Sequence, residues 1–224
     1  MELPESAPSN KLKTWLFNPF YYIAGGTALG VGLAVMVIAS LVGAATNYHF
    51  DGVIDLHSGT PAPAWVFVAE NLINWLVMGV LVYLAGRLIS RSRIRPLDVF
   101  GTQALARAPM AITLFCVLLP GFRRVTDHLA GQLIQGSTRF ESGTSGSDLI
   151  SFSQVEALDL AVFVLAVVLA LLLLVWTVLL MYRAFAVSCN VGGGKAIGVF
   201  TVVILLGEVL SKVFIGALLA AIQV

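Results

Sequence analysis

An all-α, polytopic transmembrane helix bundle with five spans is the fold class this sequence predicts, and three observations carry the prediction. Hydrophobic residues make up 58% of the 224-residue chain and charged residues only 11%, against roughly 25% charged in a soluble domain. Mean hydropathy is +0.94. The apolar residues gather into five blocks of about 20 residues or more, the length a helix needs to cross a hydrocarbon core of about 30 Å. The net charge of +1 gives no reason to expect nucleic acid as a partner. The two cysteines, Cys116 inside a span and Cys189 in a connection, form neither a disulfide framework nor a CxxC metal motif.

Residues 1–20 read as a cytoplasmic tail and interfacial element: a polar stretch to Thr14, then Trp15 to Phe20, whose aromatics suit headgroup depth. Residues 21–222 read as a single five-helix membrane domain. Its first span, about 21–45, has an apolar core too long for the roughly 7–15 residues of a signal-peptide core, so it is expected to stay. Gly26 and Gly30 form a small-xxx-small pair, flanked by Gly25 and Gly32, that would admit a neighbouring helix closely. The second span, about 65–84, carries Glu70 and Asn74 on one face, four residues apart. After it comes a basic loop holding Arg87, Arg91, Arg93, Arg95 and Pro96.

The third span, about 99–119, contains the least expected pair in the chain, Arg107 followed by Pro109. A charge at the bilayer centre costs roughly 2.5–3.5 kcal/mol on insertion scales and normally faces the protein interior. Pro109 also leaves the carbonyl one turn earlier without its amide donor. A long connection, Gly121 to Asp159, has a Ser/Thr/Gly-rich middle from Gly136 to Asp148, expected to be mobile, with short surface helices on its flanks. The fourth span, about 160–181, is nearly unbroken Leu, Val and Ala and is expected to face lipid. The fifth, about 197–222, holds Glu208 and Lys212.

Counting basic residues orients the bundle. With the N-terminus inside, inner segments hold Lys11, Lys13, Arg87, Arg91, Arg93, Arg95, Arg183 and Lys195, and outer segments hold Arg123, Arg124 and Arg139. The positive-inside rule therefore places the N-terminus in the cytoplasm and the C-terminus outside. At 1.5 Å per residue, Arg107 lies about 12 Å and Glu208 about 16 Å from the inner starts of their spans. Matched depths pair Arg107 with Glu208 and Lys212 with Glu70, and so predict that spans two, three and five pack together. Glu208 and Lys212 can also pair within their own helix. Such a network of Glu70, Asn74, Arg107, Glu208 and Lys212 either locks helix register or conducts protons or ions.

The outer loop supplies a second constellation. His49, Asp51, Asp55 and His57 stand in a near-palindrome, and His128 lies on the same expected side. Imidazole and carboxylate suit a divalent metal such as Zn, and histidine also suits proton sensing; solvated polar sequence is the simpler reading. Gly192-Gly193-Gly194-Lys195 lacks the glycine spacing and following Ser or Thr of a P-loop, and no hydrolase, zincin or dinucleotide motif occurs. A non-enzymatic role is expected.

Asn18-Pro19-Phe20, the run Asp98 to Pro109, Tyr182-Arg183-Ala184-Phe185 with Gly194-Lys195, and Glu208 to Lys212 together resemble the bacterial branch of the Yip1-domain family. The resemblance implies a five-helix integral protein of the bacterial inner membrane with a cytoplasmic N-terminus. Eukaryotic members are linked to vesicle traffic and small-GTPase partners through a longer N-terminal region, where this chain has a short tail. The expected environment is the lipid bilayer, with a membrane-protein partner or a second copy, in membrane organisation or partner binding. The rival expectation is a small transporter or channel using the charge ladder.

Overall fold

A computed structural model of the protein describes residues 11–141, 152 and 155–222. The expected tail up to Asn10 and most of the Ser/Thr/Gly-rich stretch after Glu141 lie outside the described residues. The helices are α1 (Lys11–Phe17), α2 (Gly25–Thr46), α3 (Ala64–Ile89), α4 (Pro96–Ala106), α5 (Ala108–Val117), α6 (Pro120–Glu141), α7 (Ala157–Ser188) and α8 (Gly193–Ile222). Five segments are long and apolar enough to cross a membrane: α2, α3, α4 with α5 as one interrupted span, α7 and α8. A two-residue antiparallel bridge pairs β1 (Tyr48–His49) with β2 (His57–Ser58).

Local chemistry sets the ends. Asn47, with φ 55°, closes α2 in the left-handed conformation that Asn tolerates. Pro96 opens α4 at a position where its missing N–H costs nothing. Pro109 divides the third span: Arg107 sits at the joint, with its amide drawn back to the carbonyl of Ala104 at 3.3 Å. Ser188 ends α7, and Gly193, with φ 73°, turns the chain into α8.

The spans alternate between two faces. One, here the N-terminal face, gathers α1, the α3–α4 turn and the α7–α8 turn, where Asn190 donates to Ser92 Oγ at 2.9 Å and Trp176 to the Leu16 carbonyl at 2.8 Å. Its core joins Phe20, Met78, Val82, Met181, Phe185 and Phe200. The other, the loop face, carries the 47–63 loop and α6. Here Ala39, Phe50, Met110, Ala111 and Leu114 form a second cluster, so a loop residue is part of the core.

Packing departs from expectation at four places. The interrupted third span packs mainly on α2, α3 and α7, while α8 packs mainly on α3; span two stands between spans three and five for most of their packing. The close approach of α2 and α4 does not use Gly26 or Gly30, which have open space around them. It uses Gly32, whose added Cβ would lie 2.5 Å from the Ala104 backbone, and Gly101, whose Cβ would meet the Gly25 carbonyl. Residues 136–141, expected to be mobile, continue α6. That helix is amphipathic, with Phe122, Val125, Leu129 and Leu133 at helical spacing, and the Arg124 guanidinium clamps Asp159 of α7 with two bonds of 2.6 Å. Finally, α7 does expose Leu165, Leu171, Leu172 and Val175, but its last turns bury Leu180, Met181, Ala184 and Phe185. The broad exposed apolar faces of α7 and α8 are surface for a bilayer to cover.

Candidate functional site

The 47–63 loop has almost no secondary structure of its own, yet Phe50 and Val53 are buried inside the bundle. Backbone at membrane depth cannot turn to water for its hydrogen bonds, so other groups must supply them. Side chains from three spans do so. Glu70 Oε2 accepts the Phe50 N–H at 3.1 Å, and Asn74 donates to the Phe50 carbonyl at 2.7 Å. Arg107 donates through Nη1 to the Val53 carbonyl at 3.3 Å. Glu208 Oε2 accepts the Ile54 N–H at 3.0 Å. Gly52 lies against the Glu208 carboxylate, where any Cβ would collide with it.

This arrangement corrects the expected pairings. Among the described residues no carboxylate lies within 4 Å of Arg107, although Glu208 acts on it electrostatically. Glu70 pairs with His49 at 2.7 Å rather than with Lys212. Lys212 pairs with Asp55 at 2.6 Å and with Glu208, one turn away on its own helix, at 3.5 Å. Depth matching brings the right side chains to the right level, but the loop occupies the space between them. Helix-to-helix ion pairs are replaced by side-chain grips on loop backbone.

His49 is the loop's most constrained residue. Its Nδ1 faces Glu70 Oε1 at 2.7 Å and its Nε2 faces the Thr60 carbonyl at 2.9 Å, with the ring stacked on Phe67 at 4.4 Å between centroids. A neutral imidazole has one N–H donor, whereas the imidazolium has two and can donate to a carboxylate and a carbonyl together. The Glu70 hydrogen bond accordingly raises the His49 pKa above its ordinary 6.5, against the opposing effect of burial. Asp55 is shifted the other way, below 3.8, chiefly by its bond from Lys212. Because the folded pKa of His49 is raised, its stabilisation is complete below pH 6.5 and fades as pH climbs through the raised value. Asp55, being depressed, contributes above pH 3.8 and loses that contribution as pH falls through its lowered value. Thermal melting in detergent should therefore improve on acidification from pH 8 toward pH 6, and His49→Gln should flatten that dependence. A histidine variant with the wild-type slope would refute the assignment.

The five candidate metal ligands separate. Asp51, Asp55 and His57 offer one donor atom each within 4.8 Å of one another. His49 is turned inward to Glu70, and His128 lies on α6 beside Gln132 at 2.9 Å. Asp51 Oδ1 lies 3.3 Å from His57 Nδ1 without a hydrogen-bond partner, and the Lys212 ammonium bonds Asp55 at 2.6 Å.

Comparison with protein-family models, curated proteins and solved structures finds no match to this chain.

Proposed function

We propose that this chain is a non-catalytic integral membrane protein that organises the bilayer or docks a membrane partner, in line with its resemblance to the bacterial Yip1-domain proteins. One observation carries the reading: Glu70, Asn74, Arg107 and Glu208 each hold a backbone group of the 47–63 loop. Both oxygens of the fully buried Glu70 are occupied, by His49 and by the Phe50 amide. A cavity that touches Arg107 has a volume of about 10 Å³, close to the room for a single water. A carrier needs charged groups that exchange partners along a wetted route; these are packed against backbone. The reading places the chain in the bacterial inner membrane with the N-terminal face, rich in Arg91, Arg93, Arg95 and Lys195, in the cytoplasm.

Proteoliposomes loaded with a pH-sensitive dye test it. Under an imposed membrane potential, proton entry should equal that of protein-free vesicles, while protein density should shift the vesicle size distribution. Proton or divalent-metal flux abolished by Glu70→Gln would overturn the proposal in favour of transport.

A further inference from the structure

Two adjoining openings lie between α3 and α8. The first, at the N-terminal face, is a cavity of about 360 Å³ lined by Ser90, Arg91 and Ser92 from the turn after α3, by Asn190 from the turn before α8 and by Lys195 from the start of α8. No carboxylate lines it. Among the described residues neither Arg91 nor Lys195 has an acidic partner within 4 Å, so neither charge is neutralised by those residues. The serines are turned the same way: Ser90 Oγ accepts the Ser92 N–H at 3.1 Å, and Ser92 Oγ accepts from the Asn190 amide at 2.9 Å, which leaves each hydroxyl its own proton to donate. Two cations and two donors around a cavity without a carboxylate are complementary to a phosphate. Ile89 belongs to the wall of this cavity and also to that of the second opening, an apolar groove of about 420 Å³. Leu81, Leu84 and Leu88 form one side of the groove and Gly198, Val202 and Leu206 the other, with no polar side chain among its lining residues. Both sides belong to membrane spans, so hydrocarbon is the medium there. Residues 81–89 and 198–206 each run about 12 Å along their helices, close to the roughly 15 Å of hydrocarbon in one leaflet. A phosphate-binding end continuous with an apolar slot in the bilayer matches an amphiphile with an anionic head.

We propose that these two openings together hold one anionic glycerophospholipid, with its phosphate between Arg91 and Lys195 and an acyl chain along the α3–α8 groove. The cavity contributes the preference for an anionic head, and the groove contributes the contact with the chain. The site is independent of whether the protein conducts, since it shares no side chain with Glu70, Asn74, Arg107 or Glu208.

Native mass spectrometry of the detergent-solubilised protein, titrated with dioleoylphosphatidylglycerol, tests the site. A one-to-one adduct is expected for the wild type. An Arg91→Gln, Lys195→Gln double variant, checked like the others for a wild-type melting curve, should weaken it about tenfold. Arg93→Gln with Arg95→Gln, exposed cations of the same turn that do not line the cavity, should leave it unchanged. Gly198→Phe should fill the groove and weaken the adduct about tenfold, since a Cβ there meets nothing within 4 Å and the helices need not move. Gly216→Phe, on the same helix with the same open space but outside the groove, should not. Equal losses from the two paired charge variants would mean general attraction to a basic face, and an adduct indifferent to Gly198→Phe would mean annular lipid only; either overturns the proposal, as would displacement of the whole lipid by an equal concentration of inorganic phosphate. The wild-type protein gives a second readout that needs no variant. Phosphatidylglycerol bearing a mid-chain diazirine should label Leu84 or Val202 in preference to Leu165 and Leu172 of α7, which are more exposed, and labelling in order of exposure would refute the groove.

Discussion

Glu70→Ala should be the most damaging single substitution in the chain, lowering stability by about 3–5 kcal/mol, the cost of breaking a buried ion pair by removing one partner. The reason is the number of groups left behind. The His49 imidazolium would lose its counter-charge, and the buried Phe50 amide would lose the acceptor it has among the described residues. Glu70→Gln should cost less, because the amide oxygen can still accept one bond and His49 can shed its proton. A His49→Gln, Glu70→Gln double variant should be less harmful than the sum of the two singles, since the charges leave together. Unfolding in mixed micelles of increasing SDS content measures all four proteins. A Glu70→Ala variant as stable as the wild type would refute the loop-gripping role.

The second large effect lies at the contact of α2 with α4. Gly32→Leu and Gly101→Leu should each destabilise by about 1–3 kcal/mol or more, the range for overpacking a well-filled interior. At both sites the added carbon meets backbone rather than a yielding side-chain tip: the Ala104 carbonyl carbon at 2.5 Å from Gly32, and the Gly25 carbonyl at Gly101. The helices must move apart to accept it. Gly26→Leu and Gly30→Leu, with nothing within 4 Å of the new carbon, should fall within about 0.5 kcal/mol of wild type, as ordinary surface changes do. The same SDS titration separates the two pairs, and equal effects at all four positions would refute this packing.

That contrast marks where sequence reasoning stops. The spacing of Gly26 and Gly30 shows that they share a helix face, and nothing in a period of four says whether a neighbour covers it. The five spans are legible because lipid imposes length and apolarity on each segment separately. The disturbance at Pro109 is legible in the third span, but its division into two helices at Arg107 is not, since a proline can also merely kink a continuous helix. The bounds err mostly outward, with α7 running to Ser188 and α8 starting at Gly193, since a helix continues past the apolar core until a residue stops it. In α6 the apolar stripe from Phe122 to Leu133 is present in the sequence, but polar composition disguises it as a connection. Charged residues inside the spans can be found from sequence, and so can their depths. Their partners cannot, because the loop that takes them is a polar stretch whose entry into the bundle depends on the helices leaving a gap of the right size.

The joint at Arg107 has a consequence for how the protein is made. The span it divides has a mean hydropathy of 1.2, the lowest of the five, against 3.1 for α7. Two-thirds of it is buried, against one-sixth of the α7 window. A segment so polar gains little by entering lipid alone, and its Arg107 needs the Val53 carbonyl before it can be desolvated cheaply. Its most extensive packing is on α2, made before it, but both of its halves also pack on α7, which begins about 40 residues after Val117. During translation the third segment can therefore dock on α2 at once, but its α7-facing side stays wetted or sheltered by the insertion machinery until the fourth span arrives. Glycosylation-site mapping of truncated chains should find that segment only partly inserted when synthesis stops before Ala157, and fully inserted once α7 is complete.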